Sequence, residues 1–109
     1  MPVKLPKARS PGEESLALHL RAAGIAFERE VSVVPGRGWR WDFKIGDLLV
    51  EIQGGTENGG RHVRPAGYQE DCDKQNEAVL LGYRVFKFTT TDVKQGKALA
   101  KIEQFREGI

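Results

Sequence analysis

Two acidic residues, Asp42 and Glu51, lie in adjacent β-like runs, Trp39-Arg40-Trp41-Asp42-Phe43-Lys44-Ile45 and Leu48-Leu49-Val50-Glu51-Ile52-Gln53. Only Gly46 and Asp47 separate the runs, and Gly-X suits a two-residue type II′ hairpin loop. Such a loop pairs Ile45 with Leu48 and, counting outward, Lys44 with Leu49, Phe43 with Val50 and Asp42 with Glu51. Period-2 alternation puts Trp39, Trp41, Phe43, Ile45, Leu48, Val50 and Ile52 on one face, and Arg40, Asp42, Lys44, Glu51 and Gln53 on the other. Directly opposed side chains have Cβ atoms about 4.5–5.5 Å apart, so two carboxylates there repel. A divalent cation between them would remove that penalty. On an ordinary solvated face, Arg40 or Lys44 could neutralise them instead.

The elements around the hairpin follow from punctuation and periodicity. Ser10-Pro11-Gly12-Glu13 supplies an N-cap, a proline in the first turn and an acid three residues after the cap, a capping-box start. Leu16, Ala17, Leu20 and Ala23 then share a helical face, which Glu13 joins, and Gly24 ends the helix. An acid in a first turn ordinarily serves the helix dipole, and that role suffices for Glu13 on its own. Ala26 to Val34 is β-rich but alternates poorly, and Pro35-Gly36-Arg37-Gly38 ends it as a turn. Residues 54–60 have no apolar anchor and read as a loop. A second helix is expected over Gly67 to Leu81, with Tyr68, Cys72, Val79 and Leu80 as core contacts and Gly82 as its stop. Tyr83 to Thr89 reads as another strand, and a final helix runs from about Thr91, interrupted at Gly96, through Phe105.

The order is helix, three strands, helix, strand, helix. A strand–helix–strand crossover makes the last two strands parallel neighbours or near neighbours, so the sheet is mixed and the class is α/β. A chain of 109 residues forms one such domain, not two. Residues 1–9 are expected to be a flexible basic arm carrying Lys4, Lys7 and Arg9, and residues 10–109 the folded domain. With 29% charged residues and no long apolar run, neither a membrane span nor a signal peptide is expected, and the cytoplasm is the natural compartment (the host cytoplasm for a phage-encoded chain). The single cysteine, Cys72, precludes an internal disulfide. A net charge of +2 argues for no partner, but Arg61, His62 and Arg64 cluster beside the glycine-rich loop in a way that suits a phosphate backbone.

These residues resemble the PD-(D/E)XK nuclease superfamily. The resemblance rests on the αβββαβ order, an Asp late in one hairpin strand and Glu-X-Gln in the next. Val50-Glu51-Ile52-Gln53-Gly54-Gly55, Gly60-Arg61-His62, Asp71-Cys72-Asp73-Lys74 and Gly82-Tyr83-Arg84-Val85-Phe86-Lys87-Phe88 are similar to a small phage-type endonuclease branch near the Vsr-like and DUF559-like groups. The resemblance covers roughly residues 10–103 and implies a restriction-endonuclease-like core that hydrolyses phosphodiester bonds in DNA, by nicking or by cutting branched junctions. It also implies that Asp42, Glu51, the Ile52 carbonyl and Glu13 hold Mg²⁺ or Mn²⁺, cations that favour hard oxygen ligands.

Two departures matter unequally. Trp41 stands where the family has proline, which is not a ligand. Gln53 stands where the family usually has lysine, and an amide supplies no positive charge. Lys74, reaching back from the second helix, or His62, from the loop, could replace it, although either could equally be an ordinary surface residue. Catalytic roles therefore fall to Asp42, Glu51, Gln53, Lys74 and His62, and DNA contacts to Arg61, His62, Arg64 and Lys74. The competing readings are a catalytically weak or inactive nucleic-acid-binding module that kept the fold, and a small interaction protein whose acid pair is incidental. Double-strand cutting by one small domain would require two protomers. A symmetric homodimer is then the simplest assembly, with the C-terminal helix or Phe27 to Val34 as candidate interfaces.

Overall fold

The computed structural model describes residues 10–53 and 65–108. The basic arm, the glycine-rich loop and Arg61, His62 and Arg64 lie outside the described residues. The chain runs α1 (Pro11–Ala22), β1 (Glu28–Val31), β2 (Trp41–Ile45), β3 (Leu48–Gln53), α2 (Pro65–Leu80), β4 (Arg84–Thr89), α3 (Thr90–Lys94) and α4 (Lys97–Arg106). The four strands form one sheet in the order β1-β2-β3-β4. The first two pairings are antiparallel, and β3–β4 is parallel across the α2 crossover. Among the described residues no helix is long and apolar enough to cross a membrane.

Helices cover both faces, which explains the almost unbroken apolar run of β3. Leu48 and Val50 pack with Leu16, Leu20, Phe43, Val93 and Ile102 beneath α1, α3 and α4. Leu49 faces the opposite way and packs with Trp41, Val34 and Ala78 of α2. All three β3 residues are fully buried, as in the interior strands of a sheet covered on both sides. The hairpin register is Ile45↔Leu48, Lys44↔Leu49 and Phe43↔Val50, as the loop length requires. Gly46 has φ +60, and Glu30 is the one described non-glycine residue with positive φ, so Asp47 has negative φ and the loop is type II′.

Two expectations are corrected. Trp41 is buried, but in the α2-side cluster with Leu49, not beside Phe43. The cause is a break in the β1–β2 ladder: Arg29↔Phe43 and Val31↔Trp41 are paired, while Glu30 between them sits in the left-handed region at φ 49. Arg29 thus stacks over the Phe43 ring on the α1 side, and Val31 packs with Trp41 on the other. The second helix also begins earlier, at Pro65, and its phase differs from the expectation. Tyr68, Val79 and Leu80 are exposed and Cys72 is half-buried, while Ala78 is the buried contact. Asp71, Lys74 and Ala78, at positions i, i+3 and i+7, turn toward the sheet. Among its described side chains the helix packs through one small residue and polar stems, so its described apolar residues do not mark its inner face.

Candidate active site

Four elements bring their charged residues to one end of the sheet. α1 contributes Glu13 from its first turn, β2 contributes Asp42 from its start, β3 contributes Glu51 and Ile52 near its end, and α2 contributes Lys74. They wall a cavity of about 180 Å³, closed further by Trp41 and by Glu30 and Arg40. Among the described residues of the lining, four carboxylates against two basic side chains leave a formal excess of two negative charges.

Each acid is held differently. Glu13 is buried, on the inward face of α1 that it shares with Leu16 and Leu20, and the capping box fixes it there: its backbone N–H donates to Ser10 Oγ at 3.2 Å, and its carboxylate accepts from the Ser10 N–H at 3.4 Å. Arg29 lies 3.8 Å from the other Glu13 oxygen and 3.0 Å from Glu14. Asp42 Oδ2 accepts from the Ile52 N–H at 2.8 Å. In a regular antiparallel ladder that N–H would meet the Trp41 carbonyl, two residues beyond the Phe43↔Val50 pair. The Asp42 side chain has taken its place, so the hairpin opens at its far end and the β2-facing edge of Ile52 joins the cavity wall.

Glu51 is paired with Lys74, whose Nζ donates to Glu51 Oε2 at 2.7 Å and to the Arg40 carbonyl at 2.6 Å. The ammonium also stands 4.7 Å from the centre of the Trp41 ring, a cation–π distance. The pair is only 12% and 17% exposed, which fixes the lysine head at the cavity wall, away from bulk solvent.

The sequence-derived residues Glu13, Asp42, Glu51, Ile52 and Lys74 therefore share one cavity. Gln53 ends β3 in register with Thr89, and His62, Arg61 and Arg64 are outside the described residues. Glu30, Arg40 and Trp41 were not expected here. No residue type in Ala26 to Val34 signals the Glu30 kink, since a glutamate and not a glycine holds the left-handed position. As donors, the carboxylates and the Ile52 carbonyl have the hard-oxygen character that suits Mg²⁺ or Mn²⁺. Among the described residues, however, no three acidic, histidine or cysteine side chains converge as a metal-ligand group. The reason is local: Asp42 is turned onto the Ile52 N–H and Glu51 onto Lys74.

No protein-family model matches the chain, and no curated protein matches it. A solved structure does: the catalytic domain of the homing endonuclease I-Bth0305I, with a TM-score of 0.62 over 91% of this chain and 92% of that one, at 20% identity. What the likeness establishes is architecture: the mixed four-stranded sheet flanked by helices is the fold of an endonuclease catalytic domain.

Proposed function

We propose that the protein is a metal-dependent endonuclease of the PD-(D/E)XK type that hydrolyses phosphodiester bonds in DNA. The observation that carries this reading is one acid-rich cavity, walled by Glu13, Asp42, Glu51, Ile52 and Lys74, at one end of a sheet with an endonuclease fold. Asp42, Glu51, the Ile52 carbonyl and Glu13 are the residues that would hold Mg²⁺ or Mn²⁺. A bound cation of this kind polarises the phosphate, activates the attacking water and offsets the charge of the leaving oxygen.

The chain's own residues have distinct tasks. The Asp42–Ile52 contact keeps the two strands apart and holds the β3 edge toward the cavity. Arg29 offsets the charge of Glu13, so that the acid can sit buried without repelling Asp42 and Glu51. Lys74 supplies the positive charge that Gln53 lacks, and its three donors can turn from the Arg40 carbonyl to a phosphate oxygen. Arg61, His62 and Arg64 contribute phosphate contacts on the strength of their types and clustering, with His62 a candidate proton carrier.

A second reading has its own support. Because Lys74 already neutralises Glu51 and Gln53 stands in the usual lysine position, the fold could serve as a DNA-binding module without turnover. Incubating the protein with supercoiled, linear and branched DNA, in Mg²⁺ or Mn²⁺ with and without chelator, separates the two. Nicks or junction cuts that vanish with chelator support the nuclease. DNA retention with no product on any substrate supports the binding module and overturns hydrolysis.

A further inference from the structure

Away from the acidic cavity, the outer edge of the sheet carries a groove of about 490 Å³ between β4 and α4. Its size lies within the range of small-ligand pockets, about 300–1,000 Å³. It is lined by Arg84, Phe86 and Phe88 from the strand and by Lys101, Gln104 and Phe105 from the helix. The rings interlock edge to face, with Phe86 centred 5.6 Å from Phe88 and 6.2 Å from Phe105. Phe86 and Phe105 are only partly buried, and Arg84 and Lys101 are exposed beside them. Lys87, also at the groove, is held by Asp71 of α2. No described residue lining the groove carries a carboxylate.

We propose that this groove binds a short unpaired stretch of nucleic acid, stacking a base on the exposed ring surface of Phe86 and Phe105 while Arg84 and Lys101 meet the flanking phosphates. Aromatic platforms beside cations are the chemistry by which proteins hold single strands, because every base offers a π-face and every linkage a charge. Addition of a protein strand to the edge of β4 is the other conceivable occupancy, but arginine and lysine on an edge strand discourage it. The groove follows β4 from Arg84, in register with Leu48, to Phe88, in register with Ile52. Its upper end is thus one strand away from the β3 residue that walls the acidic cavity. The inference rests on the nucleic-acid reading above and sharpens it: the preferred substrate carries unpaired nucleotides next to the cut.

The test is binding of an oligothymidylate of about a dozen nucleotides, within the span single-strand sites occupy, to the full chain, followed by backbone amide NMR shifts. The shifts should centre on residues 84–88 and 101–105. Arg84→Glu and Lys101→Glu should each weaken binding and lower the log–log salt slope by about 0.7 for every phosphate no longer neutralised. An abasic strand of equal length should bind about tenfold weaker or worse, the effect of removing one base–ring stack. Phe105→Leu, which keeps an apolar side chain, should weaken the thymidylate and leave the abasic strand as it was, in a variant whose melting curve shows it folded. Equal affinity for abasic and base-bearing strands, shifts that avoid the groove, or variants that bind like the parent would overturn the proposal. Cutting is scored separately on the parent: groove binding without any cleavage refutes the nuclease and leaves the groove, while cleavage without groove binding does the reverse.

Discussion

Replacing Lys74 with Met isolates the charge at the centre of the site, since the new side chain keeps an apolar stem against Trp41. The ammonium it removes donates to Glu51 at 2.7 Å and to the Arg40 carbonyl at 2.6 Å, in a pair 12% and 17% exposed. Breaking a fully buried pair costs about 3–5 kcal/mol, but here the stranded carboxylate faces a cavity that admits water. Hydrogen bonds to charged groups are worth about 1.5–3 kcal/mol net, so a loss of about 2 kcal/mol is expected. For a domain of this size that lowers the melting temperature by about 8–12 °C. A double-mutant cycle with Glu51→Gln, followed by thermal or urea unfolding, should give a coupling of about 1–2 kcal/mol. The coupling should survive high salt better than a surface pair would, because little of it lies in solvent. A Lys74→Met protein as stable as the parent, or a cycle with zero coupling, would refute the idea that Lys74 is a built part of the site.

Gly12→Ala should cost about 1–3 kcal/mol, measured by unfolding, because the added Cβ would lie 2.9 Å from Thr90 Oγ1 and 3.0 Å from Ile52 Cγ2; unchanged stability would mean that the close seat of α1 on β3 and α3 is not needed. Lys74→Ala should reduce DNA turnover severely, and adding Gln53→Lys should restore part of it; normal cleavage by Lys74→Ala would shift the role to His62. Exchanging Arg61 and Arg64 for alanine should reduce the log–log salt slope of duplex binding by about 0.9 for each phosphate they neutralise, and an identical slope would remove that segment from the DNA interface.

Much of this architecture can be read from local signals that no tertiary contact overrides. Gly46-Asp47 fixes the hairpin loop, and the loop fixes the register as far as Phe43↔Val50. Ser10 and Glu13 announce the capping box, and the shared helical face of Glu13, Leu16 and Leu20 places the acid inward. What escapes such reading depends on conformations or contacts that residue types do not encode. Glu30 adopts φ 49, a region in which glycine or asparagine would be the expected signal, and the resulting kink sends Trp41 to the α2 face. Extending the register to Asp42 and Glu51 treats them as a repelling pair, whereas the fold gives each its own partner, a backbone N–H and an ammonium. The phase of α2 is hidden because Ala78 and the stem of Lys74 make its contacts while Tyr68, Val79 and Leu80 point to solvent.

Divalent-metal hydrolysis of DNA through the Asp42 and Glu51 carboxylates is tested most directly by conversion of supercoiled plasmid to nicked or linear forms. The conversion is followed in Mg²⁺ for the parent, Asp42→Ala and Glu51→Ala, once each variant is shown to be folded. Metal-dependent product is expected from the parent, stopped by chelator, and none from either variant. Cleavage by the parent that persists in chelator, or full activity in both variants, would contradict a metal site built on these two acids.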